Sequence, residues 1–129
     1  KAAATNVKKI GLELGGKSPN VIFTDADLDG AVEWAMIGIF FNQGEVCAAG
    51  SRIIIEESIH DEFVARLKKK AEAMTIGNPV NNPDIGPVIT EKDMEKVLSY
   101  IKSGIEEGAT LVTGGERYTE GLLCTSNDL

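Results

Sequence analysis

Two side chains of this chain could do covalent chemistry if folding brought them together. Cys47 stands in FFNQGEVCAAGSR, residues 40–52, followed at once by Ala48, Ala49 and Gly50. A thiol on a tight segment of small residues lets a ligand approach, and its thiolate is a strong nucleophile when favoured or generated in place. Glu13 stands in LELGGKSPN, residues 12–20, between Leu12 and Leu14 and just before Gly15 and Gly16. A carboxylate held at the end of an apolar segment could take the proton of a thiol or of a water. The two lie far apart in the chain, so only tertiary structure could join them. Each also has an ordinary reading: a lone cysteine as a small buried hydrophobe, a lone glutamate as a solvated charge.

The surrounding pattern has to position them. Val7 to Leu14 and Val21 to Thr24 read as strands separated by Gly15-Gly16 and Ser18-Pro19-Asn20. A helix follows, capped by Asp25 or Asp27. Leu28, Ala31, Val32, Ala35, Met36 and Ile39 form its stripe, and Gly44 ends it. Trp34 and Phe40 lie off that stripe, which predicts burial on a second side. SRIIIEE reads as a strand from its isoleucines. Ser58 with Asp61 resembles a capping box, opening a helix to about Met74 with Ile59, Phe63 and Leu67 inward. Lys68, Lys69 and Lys70 load its last turns, where the helix dipole favours cations. GNPVNNPDIGP is a rigid loop. Thr90 with Asp93 starts a further helix that Gly108 stops, and TLVT, residues 110–113, reads as a last strand. Strands alternating with helices predict an α/β fold with a twisted, mostly parallel sheet and flanking helices.

Composition narrows the function classes. The 129 residues carry a net charge of -7 and a pI near 4.7, which argues against a nucleic-acid backbone as partner. Cys47 and Cys124 make neither a disulfide framework nor a metal site, and no metal is expected. No apolar run approaches a membrane span, and KAAATNVKKI has no apolar leader core, so cytoplasm or an organelle matrix is the expected location. His60 reads as a solvated surface residue. A cysteine hydrolase or thiol redox protein would need a histidine partner or a CxxC, and the sequence offers neither.

LELGGKSPN followed by FFNQGEVCAAGSR resembles the two active-site signatures of the NAD(P)-dependent aldehyde dehydrogenase superfamily, in that order and at that spacing. The likeness continues through EESIHDEFV, IGNPVNNPDIGPVI and YIKSGIEEGATLVTGG, from about Ala2 to Gly115. It implies the catalytic-domain portion of that fold: residues 1–16 as the terminal strand of the cofactor-binding domain and 17–129 as a partial catalytic domain. It implies Cys47 as nucleophile and Glu13 as general base. The backbone of Glu13, Leu14 and Gly15 would lie beside the nicotinamide of NAD or NADP, and Lys96 would reach the adjoining ribose. A small aldehyde is the implied substrate, and a homo-oligomer the implied state of the whole protein. Asp93 stands where many relatives carry Gln or His; its helix-capping role accounts for it. The match lapses at GLLCTSNDL, which leaves Cys124 without a role. The family's oxyanion Asn and most of its cofactor contacts lie outside this sequence, so the chain alone is expected to be inactive. The alternative is a non-catalytic module of the same family that docks on a partner.

Overall fold

The computed structural model describes residues 1–118. Cys124 and the rest of the divergent tail lie outside the described residues. The order is β1 (Pro19–Ile22), α1 (Leu28–Phe40), β2 (Arg52–Ile55), α2 (Glu57–Glu72) and α3 (Glu91–Glu106), with short 3-10 turns at Ala4–Asn6, Phe41–Gly44 and Pro79–Asn81. β1 and β2 pair in parallel with Asn20 opposite Ile53, Val21 opposite Ile54 and Ile22 opposite Ile55. Parallel neighbours require a crossover, and α1 supplies it.

Alternation along the strands decides which face is covered. Ile22, Ile53 and Ile55 face α1 and α2, and join Val32, Ala35, Met36, Phe63, Leu67 and Ala71 in one core. Val21 and Ile54, one residue out of phase, stay exposed on the other face. The α1 stripe therefore buries as its spacing predicts, and so does the inner face of α2. Salt bridges join the outer sides of the two helices, Arg66 to Asp29 and Lys70 to Glu33, while Glu62 braces Arg66 from within α2. These pairs are exposed, so packing of the apolar faces carries most of the α1–α2 association.

Four readings need correction. Val7 to Leu14 forms no strand, and Leu12 and Leu14 are 72% and 71% exposed. Apolar alternation needs a sheet edge to pair with, and among the described residues β1 pairs only with β2. Residues 110–113 form no strand either; Thr113 instead donates its hydroxyl to Glu72 of α2 at 2.8 Å, a side-chain tether where a ladder was expected. That bond, with Lys68 beside it, holds the Glu72 carboxyl below its usual range. Ser58 does not open α2. Glu56 is the N-cap residue, and its carboxylate accepts the Thr24 backbone N–H at 3.0 Å, tying the end of β1 to the start of the helix. Trp34 is 72% exposed while Phe40 is half-buried against the core, so the expected burial off the stripe fails at Trp34.

The start of α3 matches its reading. The Thr90 hydroxyl oxygen accepts the Asp93 N–H at 3.2 Å, and the same hydroxyl donates to the Asp93 carboxylate at 2.6 Å. Gly108 closes the helix at φ 97, a left-handed conformation that favours glycine. The loop before α3 is braced from within, since Asp84 accepts both the N–H and the hydroxyl of Thr75 at 2.7 Å. These bonds hold the Asp84 carboxyl below the ordinary carboxylate range. Replacing Thr90 by alanine is expected to cost about 1 kcal/mol, the usual value of a lost N-cap. A urea titration of the chain followed by circular dichroism checks this, and an unchanged midpoint would contradict the cap.

Candidate active site

α1 ends against the segment that carries Cys47. Asn42, Gln43 and Gly44 all adopt left-handed backbone, at φ 51, 57 and 77, and reverse the chain. At Gly44 the requirement is strict, because a Cβ there would lie 2.9 Å from the Ile39 carbonyl oxygen. Side chains hold the reversal: Asn42 donates to the Glu45 carbonyl at 3.1 Å, and Gln43 to the Pro87 carbonyl at 3.3 Å. Cys47 then occupies a turn closed by the Ala49 N–H on the Val46 carbonyl, and the Gly50 N–H returns to the Gly38 carbonyl at 2.9 Å. The thiol is free and exposed. Among the described residues the Cys47 N–H donates to no backbone carbonyl.

The segment carrying Glu13 runs past this turn. Gly16 passes so close that a Cβ on it would sit 3.3 Å from the Cys47 carbonyl oxygen. Arg52, at the start of β2, donates its side-chain Nε–H to the Lys17 carbonyl at 2.9 Å and its backbone N–H to the Ser18 carbonyl at 3.3 Å. Glu13, Leu14 and Gly15 are exposed, and a Cβ at Gly15 would meet nothing within 4 Å, so the backbone there faces open space. The two segments singled out in the sequence thus meet at Gly16 and Cys47.

α3 forms the third side. A cavity of about 680 Å³ lies between Lys17, Glu45 and Ser51 on one wall and Asp93, Lys96, Val97, Tyr100 and Ile101 on the other. Lys17 belongs to the Glu13 motif, while Glu45 and Ser51 flank Cys47, so one cavity touches both motifs and the helix that bears Lys96. Its lining carries two cations, Lys17 and Lys96, and two anions, Glu45 and Asp93. Asp93 reaches this cavity as well as capping its helix, so the capping role is not its whole environment. Among the described residues no group of three histidine, cysteine or acidic side chains is placed to hold a metal ion.

The aldehyde dehydrogenase family profile matches residues 1–125. The chain belongs to the aldehyde dehydrogenase family. It is 49% identical to an aldehyde dehydrogenase of Emericella nidulans, a match that covers 91% of this chain and 24% of that protein. It is 51% identical to the betaine aldehyde dehydrogenase of Bacillus subtilis, with the same coverage on both sides. Among solved structures, a Staphylococcus aureus betaine aldehyde dehydrogenase in complex with NAD+ superposes with a TM-score of 0.86 at 42% identity, over 95% of this chain and 26% of that one. The NAD+ complex of an aldehyde dehydrogenase from Bacillus cereus gives 0.87 at 40% identity, over 95% and 25%. The chain spans about a quarter of the length of these relatives.

The roles of Arg52, Gln43 and Lys17 were not legible in the sequence. Each acts on a backbone carbonyl or a cavity rim far away in the chain, and composition carries no sign of such pairings. The apolar stretch around the Glu13 motif was visible, but what holds it was not.

Proposed function

We propose that this segment carries the nucleophile and the general base of an aldehyde-oxidising enzyme that uses NAD or NADP. The observation that supports it most is the close approach of the Gly16 backbone to the Cys47 carbonyl, with Lys17, Glu45 and Ser51 from the same two segments lining one cavity with Lys96. In this reading the Cys47 thiolate attacks the aldehyde carbon, and the carbonyl π electrons move onto oxygen. The Cys47 N–H, which no backbone carbonyl of the described residues accepts, is available to hold that oxyanion. NAD(P), when bound, supplies the acceptor for the hydride that the resulting thiohemiacetal loses. A thioester then remains on Cys47. Glu13 takes a proton from water, hydroxide adds to the thioester carbon, the C–S bond breaks, and carboxylic acid leaves with Cys47 restored as thiolate.

The residues fit one end of such a cofactor. The open backbone at Gly15 admits a flat ring beside Glu13 and Leu14, and the Lys96 ammonium is a donor suited to ribose hydroxyls. Lys17 adds a second cation to the same cavity. The division at about Gly16, with residues 1–16 belonging to the cofactor-binding domain and 17–129 to the catalytic domain, is part of the same proposal. So is homo-oligomer formation by the whole protein. The segment's exposed Val21, Ile54 and Trp34 also suit the second reading, a module docked on a partner, which needs no cofactor.

Cofactor affinity in a crevice comes from contacts on both walls, and the described residues provide an open one. The 129-residue chain is therefore expected to bind NAD or NADP no better than about millimolar, and to form no NADH with an aldehyde. A chimera in which it replaces the matching segment of the Bacillus subtilis relative should reduce NAD with betaine aldehyde. Calorimetric titration and NADH absorbance decide the matter. Micromolar NAD binding by the chain alone would contradict the open-wall argument, and an inactive but folded chimera would favour the docking reading.

A further inference from the structure

We propose that Arg52 is a positioning residue that sets the general base against the nucleophile. This rests on the aldehyde-oxidising reading above and adds a residue to it. Among the described residues, the tertiary hydrogen bonds that reach residues 9–18 both come from Arg52: its Nε–H on the Lys17 carbonyl and its backbone N–H on the Ser18 carbonyl. Among the described residues the segment has no strand pairing, so the pair of bonds from Arg52 is what ties it to the strand that follows Cys47. Arg52 itself opens β2, five residues after Cys47, in register with Pro19 of β1. One residue therefore fixes the carbonyl just beyond Gly16 to the strand that leads out of the Cys47 turn. Gly16 is also where the two segments touch, against the Cys47 carbonyl. Sliding of the Glu13 segment would change the distance from carboxylate to thioester while leaving Cys47 in its own turn, which separate bonds hold.

The consequence is a split between the two halves of the reaction. Thioester formation depends on Cys47 and its turn; acid release depends on where Glu13 stands. Loss of the Arg52 side-chain bond should slow the second half and spare the first.

Two measurements test it. The first uses the 129-residue chain and needs no activity. The carbonyl that Arg52 holds is the one trypsin must attack to cut after Lys17, and cleavage follows the population of the released segment. Cutting at Lys17 relative to Lys9 should rise roughly fivefold in Arg52→Met, the effect of one lost hydrogen bond. Arg52→Lys, which keeps a donor, should stay near the parent ratio. An unchanged ratio in Arg52→Met, or an equal rise in both variants, overturns the proposal. The second uses the chimera with betaine aldehyde. Arg52→Met should keep a full pre-steady-state burst of NADH and lose about 10- to 100-fold in steady turnover, the scale of a small misplacement; Arg52→Lys should recover most of it. A burst that falls in step with turnover, or turnover that does not fall, overturns it. A chimera that still oxidises aldehyde as Cys47→Ser would sink the aldehyde-oxidising reading instead, and the trypsin ratio would still judge Arg52.

Discussion

In the chimera, Cys47→Ser is expected to lower aldehyde oxidation by at least on the order of 10⁴-fold, the scale seen when a covalent nucleophile is removed. The argument begins with atom type. A thiolate forms at accessible pH, whereas the serine hydroxyl has no comparable anion and no strong base beside it. Geometry adds that the change is close to isosteric in an exposed turn set by backbone bonds at Ala49 and Gly50, so the turn should persist. The variant should therefore fold and bind NAD as the parent chimera does, with only the chemistry lost. NADH absorbance with active-site concentration fixed by NAD titration checks this. Residual turnover within tenfold of the parent would remove Cys47 from the nucleophile's role.

Glu13→Gln is expected to cost about 10²–10⁴-fold in steady turnover, the usual range for a removed general base. Its signature separates it from Cys47→Ser. Glutamine matches glutamate in shape but cannot take a proton from water, so acid release should stall after the thioester has formed. The exposed setting of Glu13 gives the substitution little to disturb in packing. A burst of NADH close to one equivalent, followed by slow turnover, is the expected trace. Equal loss of burst and steady rate would assign Glu13 to the first half of the reaction.

The sequence made the core elements legible where one physical signal sufficed. The three- and four-residue stripe of Val32, Ala35 and Met36 and the cap at Thr90 and Asp93 both appear in the structure as read. Signals that depend on a partner failed. Residues 7–14 alternate like a strand but meet no edge among the described residues, and residues 110–113 reach α2 through Thr113 instead of a ladder. Ser58 and Asp61 fit a capping box, yet Glu56 takes the N-cap position because its carboxylate also has Thr24 to hold. The site divided in the same way. Motif likeness drew attention to Glu13, Cys47 and Lys96, while the groups that join their segments, Arg52 and Gln43, act on carbonyls distant in sequence. Such contacts leave no periodic trace.

The central claim is a thioester on Cys47 that Glu13 helps to hydrolyse, and trapping it is the most direct test. The Glu13→Gln chimera would be mixed with NAD and betaine aldehyde, quenched in acid within seconds, digested with trypsin and analysed by mass spectrometry. Tryptic cleavage after Lys17 and Arg52 leaves Cys47 as the single thiol of the peptide spanning residues 18–52. The account predicts that this peptide gains the mass of the acyl group, that hydroxylamine removes it, and that the parent chimera shows far less. An unmodified Cys47 peptide from a variant that has already produced its burst of NADH would contradict the account.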